Sequence, residues 1–166
     1  MLLFGIPQKK SREINAVMVC PGGFTSEECD QFLTTRSSVD FSANGLLLQK
    51  LAHLIDGVNS NLYGFILTDL ITSGIYTHTP LEPSPWQVAL GSDPLTSLRK
   101  LTCLVCLTPC TSYEGGEIYF EPSGTARSQE KGDVLVFPAY YVYRFSPLLQ
   151  GTYQILVSWA CGPAFR

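Results

Sequence analysis

Few residues in this chain could do chemistry, and their spacing narrows the choice. Three cysteines, Cys103, Cys106 and Cys110, crowd into "KLTCLVCLTPC". Cys-x-x-Cys is a zinc spacing, but no second ligand pair follows at a useful distance. The segment also has strand composition, and residues three apart on a strand face opposite sides. Free thiols are therefore expected here, as at Cys20, Cys29 and Cys161. The two histidines offer little. His53 lies near the edge of a helical apolar stripe with no second donor one turn away, and His78 has no Asp or Glu two residues on. The remaining candidate is "SPWQVALGSD", Ser84 to Asp93, with its Trp, its polar–apolar alternation and its Gly-Ser-Asp turn. A metal site could begin in such a stretch. Yet the two positions after Trp86 where ligands would serve hold Gln87 and Ala89.

Two kinds of element must position these residues. "INAVMVC" (14–20) reads as a strand closed by "PGG", and "FTSEECDQFLTT" as a helix. Thr25 with Glu28 three residues on forms a capping box, and acidic residues fill the first turn, where the helix dipole favours them. A second helix is expected over "SANGLLLQKLAHLIDGV", where Leu47, Leu48, Leu51, Leu54, Ile55 and Val58 make one apolar stripe. After residue 60 the period changes to short β-rich runs: "LYGFILTDL", "GIYTH", "PWQVAL", "RKLTCLVCLT", "GEIYFEP", "GDVLVFP", "YYVYRFSP" and "TYQILVSWA". Gly, Pro, Ser and Asn punctuate them at even spacing, the pattern of a sandwich or jelly roll. The expectation is one domain, 1–166, mainly β (α+β). An N-terminal strand and two bracing helices (14–58) pack on a β core (60–166).

The chain has 166 residues, with 11 basic and 14 acidic side chains and a net charge of −3. No basic stripe suggests a nucleic-acid partner. No apolar run reaches the length needed to span a membrane, and no secretory signal precedes the cysteines, so an intracellular, cytoplasmic setting is expected. The charged fraction is only 15%, where about 25% is usual. That suits either a well-buried β domain or a surface partly covered by neighbouring subunits.

The C-terminal half carries a resemblance. "RKLTCLVCL", then "SYEGGEIYFEP", then "KGDVLVFPAYYVYRFSPLLQGTYQILVSWACGP" is similar, in order and spacing, to the 2-oxoglutarate- and iron(II)-dependent oxygenases. The closest likeness is to their prolyl-hydroxylase-like group of bacteria and phages. It covers roughly residues 60–166 and, more faintly, the "FTSEEC" helix. It implies a double-stranded β-helix (jelly-roll or cupin-like), which the strand pattern reaches independently.

The resemblance also implies positions for the site. A His-x-Asp after the aromatic falls on Gln87 and Ala89, the distal His on Tyr143, and the basic partner of the co-substrate carboxylate on Tyr153. A second register, with Gly91 and Asp93 as the first pair, leaves Trp86 out of place. An iron(II) site needs two imidazoles and a carboxylate on one face. Gln87 offers a neutral amide, Ala89 offers nothing, and Tyr143 a phenol that is protonated at neutral pH. 2-Oxoglutarate needs a countercharge that Tyr153 does not carry. No catalytic residue, metal or cofactor is therefore expected.

From these replacements we expect a non-catalytic structural or interaction protein on an oxygenase fold. Its setting would be an assembly with other protein subunits, such as a phage virion (tail, baseplate or capsid-associated), and its docking surface the Tyr-rich "AYYVYRF". The alternatives are an active or residual 2-oxoglutarate/iron(II) hydroxylase, or a glycan- or peptide-binding module using the old pocket. In the latter, Trp86, Tyr113, Tyr119 and Trp159 would supply stacking.

Overall fold

A computed structural model describes residues 17–35, 39, 41–81, 84–121 and 129–165. The chain begins with a short strand, β1 (Met18–Cys20); the earlier part of the expected 14–20 strand lies outside the described residues. Helix α1 (Ser26–Thr34) starts as its sequence demands. The Thr25 side chain accepts from the Glu28 N–H, and the Glu28 carboxylate accepts from the Thr25 N–H. Helix α2 (Phe41–Val58) follows, interrupted at Asn44, whose φ of −127° is not helical. Its whole apolar stripe, Leu47 to Val58, lies in one buried cluster with Phe24, Phe32 and Tyr63. His53 is exposed.

Nine strands are described, and the larger sheet is antiparallel with order β1-β6-β3-β9-β2. Its members are β2 (Asp69–His78), β3 (Arg99–Cys106), β6 (Val134–Pro138) and β9 (Tyr153–Cys161), besides β1. Two smaller pairs complete the β structure. Strand β4 (Tyr113–Gly115) pairs with β8 (Leu148–Gly151), and β5 (Ile118–Glu121) with β7 (Val142–Phe145).

The central strands are buried on both faces, and their period of two sorts the side chains into two cores. On β3, Leu101, Cys103 and Val105 face the helices, whereas Leu104 and Cys106 face the barrel interior. On β9, Leu156 and Ala160 join the helix-side core, and Tyr153, Ile155 and Val157 the barrel core, with Trp159 packed against it. Strands covered on both sides read as near-continuous apolar runs. The stretch 134–166, which carries only Arg144 and Arg166 as charged residues, fits this double burial.

The mainly β plan with two bracing helices stands. Two local readings do not. "LYGFILTDL" is not one strand, because Asn59–Tyr63 winds as a π-helical turn ended by Gly64 at φ +72°. The Asn59 amide then clamps the next stretch, accepting from the Phe65 N–H and donating to the Phe65 carbonyl. "PWQVAL" pairs only at Gln87, through an isolated bridge to Tyr143.

Candidate site inside the barrel

The inward face of β9 forms the floor of the site. Strand residues rise about 3.3 Å each, so Tyr153 and Trp159 sit roughly 20 Å apart, towards opposite ends of the barrel. Register across β2 places His78 beside Tyr153 and Ile71 beside Trp159.

The Tyr153 end is packed shut. Tyr153 is 1% exposed, and its hydroxyl donates to the Gln129 side-chain oxygen at 2.8 Å. Tyr113, His78 and Phe145 surround its ring at centroid distances of 4.7, 5.8 and 6.0 Å. The cavity left among His78, Ser84, Gly116, Phe145, Leu148 and Tyr153 measures about 10 Å³. That is room for about one water molecule, far too little for a five-carbon dicarboxylate. Burial pushes the Tyr153 phenol well above its usual range, with Cys106 and Tyr113 adding to the effect. The ring is a neutral filler.

The other expected positions lie towards the mouth. Gln87 and Tyr143 face each other in an antiparallel pair closed by two hydrogen bonds of 2.9 Å, Gln87 N–H to Tyr143 O and the reverse. Directly opposed residues put their side chains on the same face. The structure therefore brings Gln87 and Tyr143 together. Gln87 is exposed, whereas Tyr143 is buried against Phe137 at 5.0 Å. Burial pushes the Tyr143 phenol up to about 12, with Tyr76 raising it further and Arg99 opposing. Ala89 is buried, and its carbonyl accepts a hydrogen bond from Arg99.

Asp93 is exposed, and its carboxylate is spent on a local turn, accepting from the Leu95 and Thr96 N–H groups and the Thr96 hydroxyl. Arg144 points outwards, stacked over Trp86 at 4.5 Å.

The sequence reading set His78 aside and missed Arg99. His78 lies inside, between Phe145 and Tyr153; its pairing opposite Tyr153 is a long-range register that local pattern does not show. Arg99 reaches over the Trp159 ring at 3.5 Å, sixty residues away in sequence. The cysteines are free and separate: Cys103 lies in the helix-side core, Cys106 in the barrel core, and Cys110 donates to Glu130.

These residues do not fit an iron(II) ion. The mouth presents an amide, a methyl group and a buried phenol, with an arginine cation close by. No three His, Cys, Asp or Glu side chains gather among the described residues.

No family model matches the chain. In sequence it is 25% identical over 132 residues to a PKHD-type hydroxylase of Prochlorococcus marinus (strain AS9601), covering 75% of this chain and 58% of that protein. In the curated relatives it matches, all PKHD-type hydroxylases, the chain spans 25% to 58% of their length. In structure it is similar to a Pseudomonas putida prolyl-4-hydroxylase, with a TM-score of 0.69 at 12% identity, over 92% of this chain and 88% of that one. A prolyl hydroxylase from Trichoplax adhaerens, solved with a hypoxia inducible factor peptide fragment, gives 0.68 at 14% identity over 89% and 84%.

The fold is thus a double-stranded β-helix of the prolyl-hydroxylase kind, and the resemblance to the 2-oxoglutarate/iron(II) oxygenases holds in both sequence and structure. The expected structural, virion-associated role is corrected. The relatives are named hydroxylases, and nothing in the comparisons points to a virion. Among the described residues, no helix is long and apolar enough to cross a membrane.

Proposed function

We propose that this chain is a hydroxylase-type protein of the 2-oxoglutarate/iron(II) class in residual form. The barrel is kept, and its mouth serves to recognise a peptide. One observation carries the reading: the prolyl-hydroxylase framework persists over 92% of the chain while its interior is refilled around Tyr153 and Tyr143. A fold maintained with its inner end packed shut retains its outer rim for use. That rim presents Trp86, Val88, Tyr76 and Gln87 to solvent. The Trichoplax neighbour, solved with a peptide fragment, supports a peptide as the ligand class.

The residual form assigns the four replaced positions, Gln87, Ala89, Tyr143 and Tyr153, to the ligand and co-substrate places of the family. The chemistry supplied by iron and 2-oxoglutarate in the class has no matching groups there. Turnover of 2-oxoglutarate is expected to be absent or very slow.

The test is a succinate assay over hours with iron(II) and 2-oxoglutarate, run beside a binding screen of proline-containing peptides. Peptide binding without succinate supports the residual reading. Succinate well above a no-protein control would replace it with an active hydroxylase. Neither succinate nor peptide binding would remove the hydroxylase-type reading altogether.

A further inference from the structure

The mouth of the barrel holds a cation and unpaired polar groups where a divalent metal would need anions. Arg99 is half-buried, and its guanidinium lies flat on Trp159 at 3.5 Å. A guanidinium has five N–H donors. Among the described residues one of them has a stated acceptor, the Ala89 carbonyl at 3.0 Å. The ion pairs described join Lys50 to Glu28 and Lys131 to Asp30, and neither involves Arg99.

Two further groups lie beside it. The Trp159 indole N–H is buried and has no hydrogen-bond partner among the described residues, and the same is true of the Thr102 hydroxyl. Thr102 and Trp159 are directly opposed on β3 and β9, so their side chains share the inward face. Thr102 is fully buried. Buried polar groups without partners are rare and costly, of order 1–3 kcal/mol each. Here a guanidinium, an indole N–H and a hydroxyl are grouped, and all three can donate. The chemistry that satisfies such a set is a carboxylate, because a planar fork and a planar anion match two bonds at once.

We propose that the Arg99–Trp159–Thr102 cluster is a carboxylate-binding site, so that the metal end of this barrel has reversed its charge preference from a divalent cation to an anion. The carboxylate comes either from a peptide C-terminus or from a small organic acid. Two carboxylate oxygens face Arg99, and the indole N–H and Thr102 hydroxyl supply the remaining donors. Hydroxylation is not required, and the site stands apart from the peptide reading of the rim.

The experiment follows Trp159 fluorescence in the full chain carrying Trp86→Phe, which removes the second tryptophan. The probes are acetate, the tripeptide Ac-Ala-Ala-Ala with a free carboxylate, and the same peptide as its carboxamide. The acid should bind about tenfold or more tighter than the amide, the value of one charge-assisted contact. If acetate competes with it on equal terms, the ligand is a small acid; if acetate is far weaker, it is a peptide terminus. Arg99→Gln should bring the acid-to-amide ratio to about one, and Arg99→Lys should keep part of the preference. Arg144→Gln, on the outer face, should leave the ratio unchanged. Should Arg99→Gln not fold, Thr102→Val reads the same loss more weakly. Equal binding of acid and amide, no binding up to about 10 mM, or an unchanged ratio in Arg99→Gln would overturn the proposal.

Discussion

The two ends of the barrel are filled by different physical means. At the inner end, where the resemblance implies a cation, volume is the agent: Tyr153 fills the space, its hydroxyl satisfied by Gln129. At the mouth, exposure and charge set the character. Gln87 is exposed opposite Tyr143, and Arg99 brings a cation towards the place of anionic ligands. One end is thus governed by packing and the other by charge and exposure.

The largest expected effect lies at the inner end. Tyr153→Ala should destabilise the chain by about 4 kcal/mol, since a buried aromatic is lost and the Gln129 amide is stranded. Urea unfolding checks it. A loss under about 1 kcal/mol would mean a loosely filled end and would erase the contrast with the mouth.

Next comes the pH dependence of Tyr143. Its folded pKa is raised from about 10 to about 12 by burial. The unfolded chain therefore ionises first as pH rises, and the folded state binds more protons between these values. The contribution is complete below about pH 10 and is lost as pH rises through about 12, on the order of 3 kcal/mol for two units. Tyr153, shifted in the same direction, adds to the loss. Unfolding midpoints at about pH 9 and about pH 12 should show it, and the slope should be shallower in Tyr143→Phe. A slope unchanged by that substitution would mean that Tyr143 is not sheltered.

The smallest effect belongs to Gln87. Gln87→Ala should alter stability by no more than about 0.5 kcal/mol, because its backbone, not its exposed side chain, makes the bridge. A larger loss would give the mouth the packed character of the inner end.

Local signals made much of this legible in the sequence. The Thr25–Glu28 capping box starts α1 where its residues dictate, and the Leu47-to-Val58 stripe enters the core as one face. Period-two alternation sent Cys103 and Cys106 to different cores, which separates them as ligands. What stayed hidden was long-range or locally ambiguous. Asn44 interrupts the expected helix just before its apolar stripe begins, and the π-helical turn Asn59–Tyr63 takes in Leu62 and Tyr63, which also suit a strand. The bond from Tyr153 to Gln129 and the stack of Arg99 on Trp159 join residues that no period links.

The assignment of Gln87, Ala89 and Tyr143 to the metal-ligand places is tested most directly by putting ligands back. We would titrate manganese(II) anaerobically, by calorimetry, into the parent chain and into the Gln87→His/Ala89→Asp/Tyr143→His variant. The expected result is no saturable site in the parent and one site per chain in the variant, within reach of about 100 μM, since each restored metal bond is worth more than a tenfold step in affinity. Micromolar binding by the parent would contradict the residual reading. A folded variant that binds no more metal than the parent would contradict the assignment of these three positions.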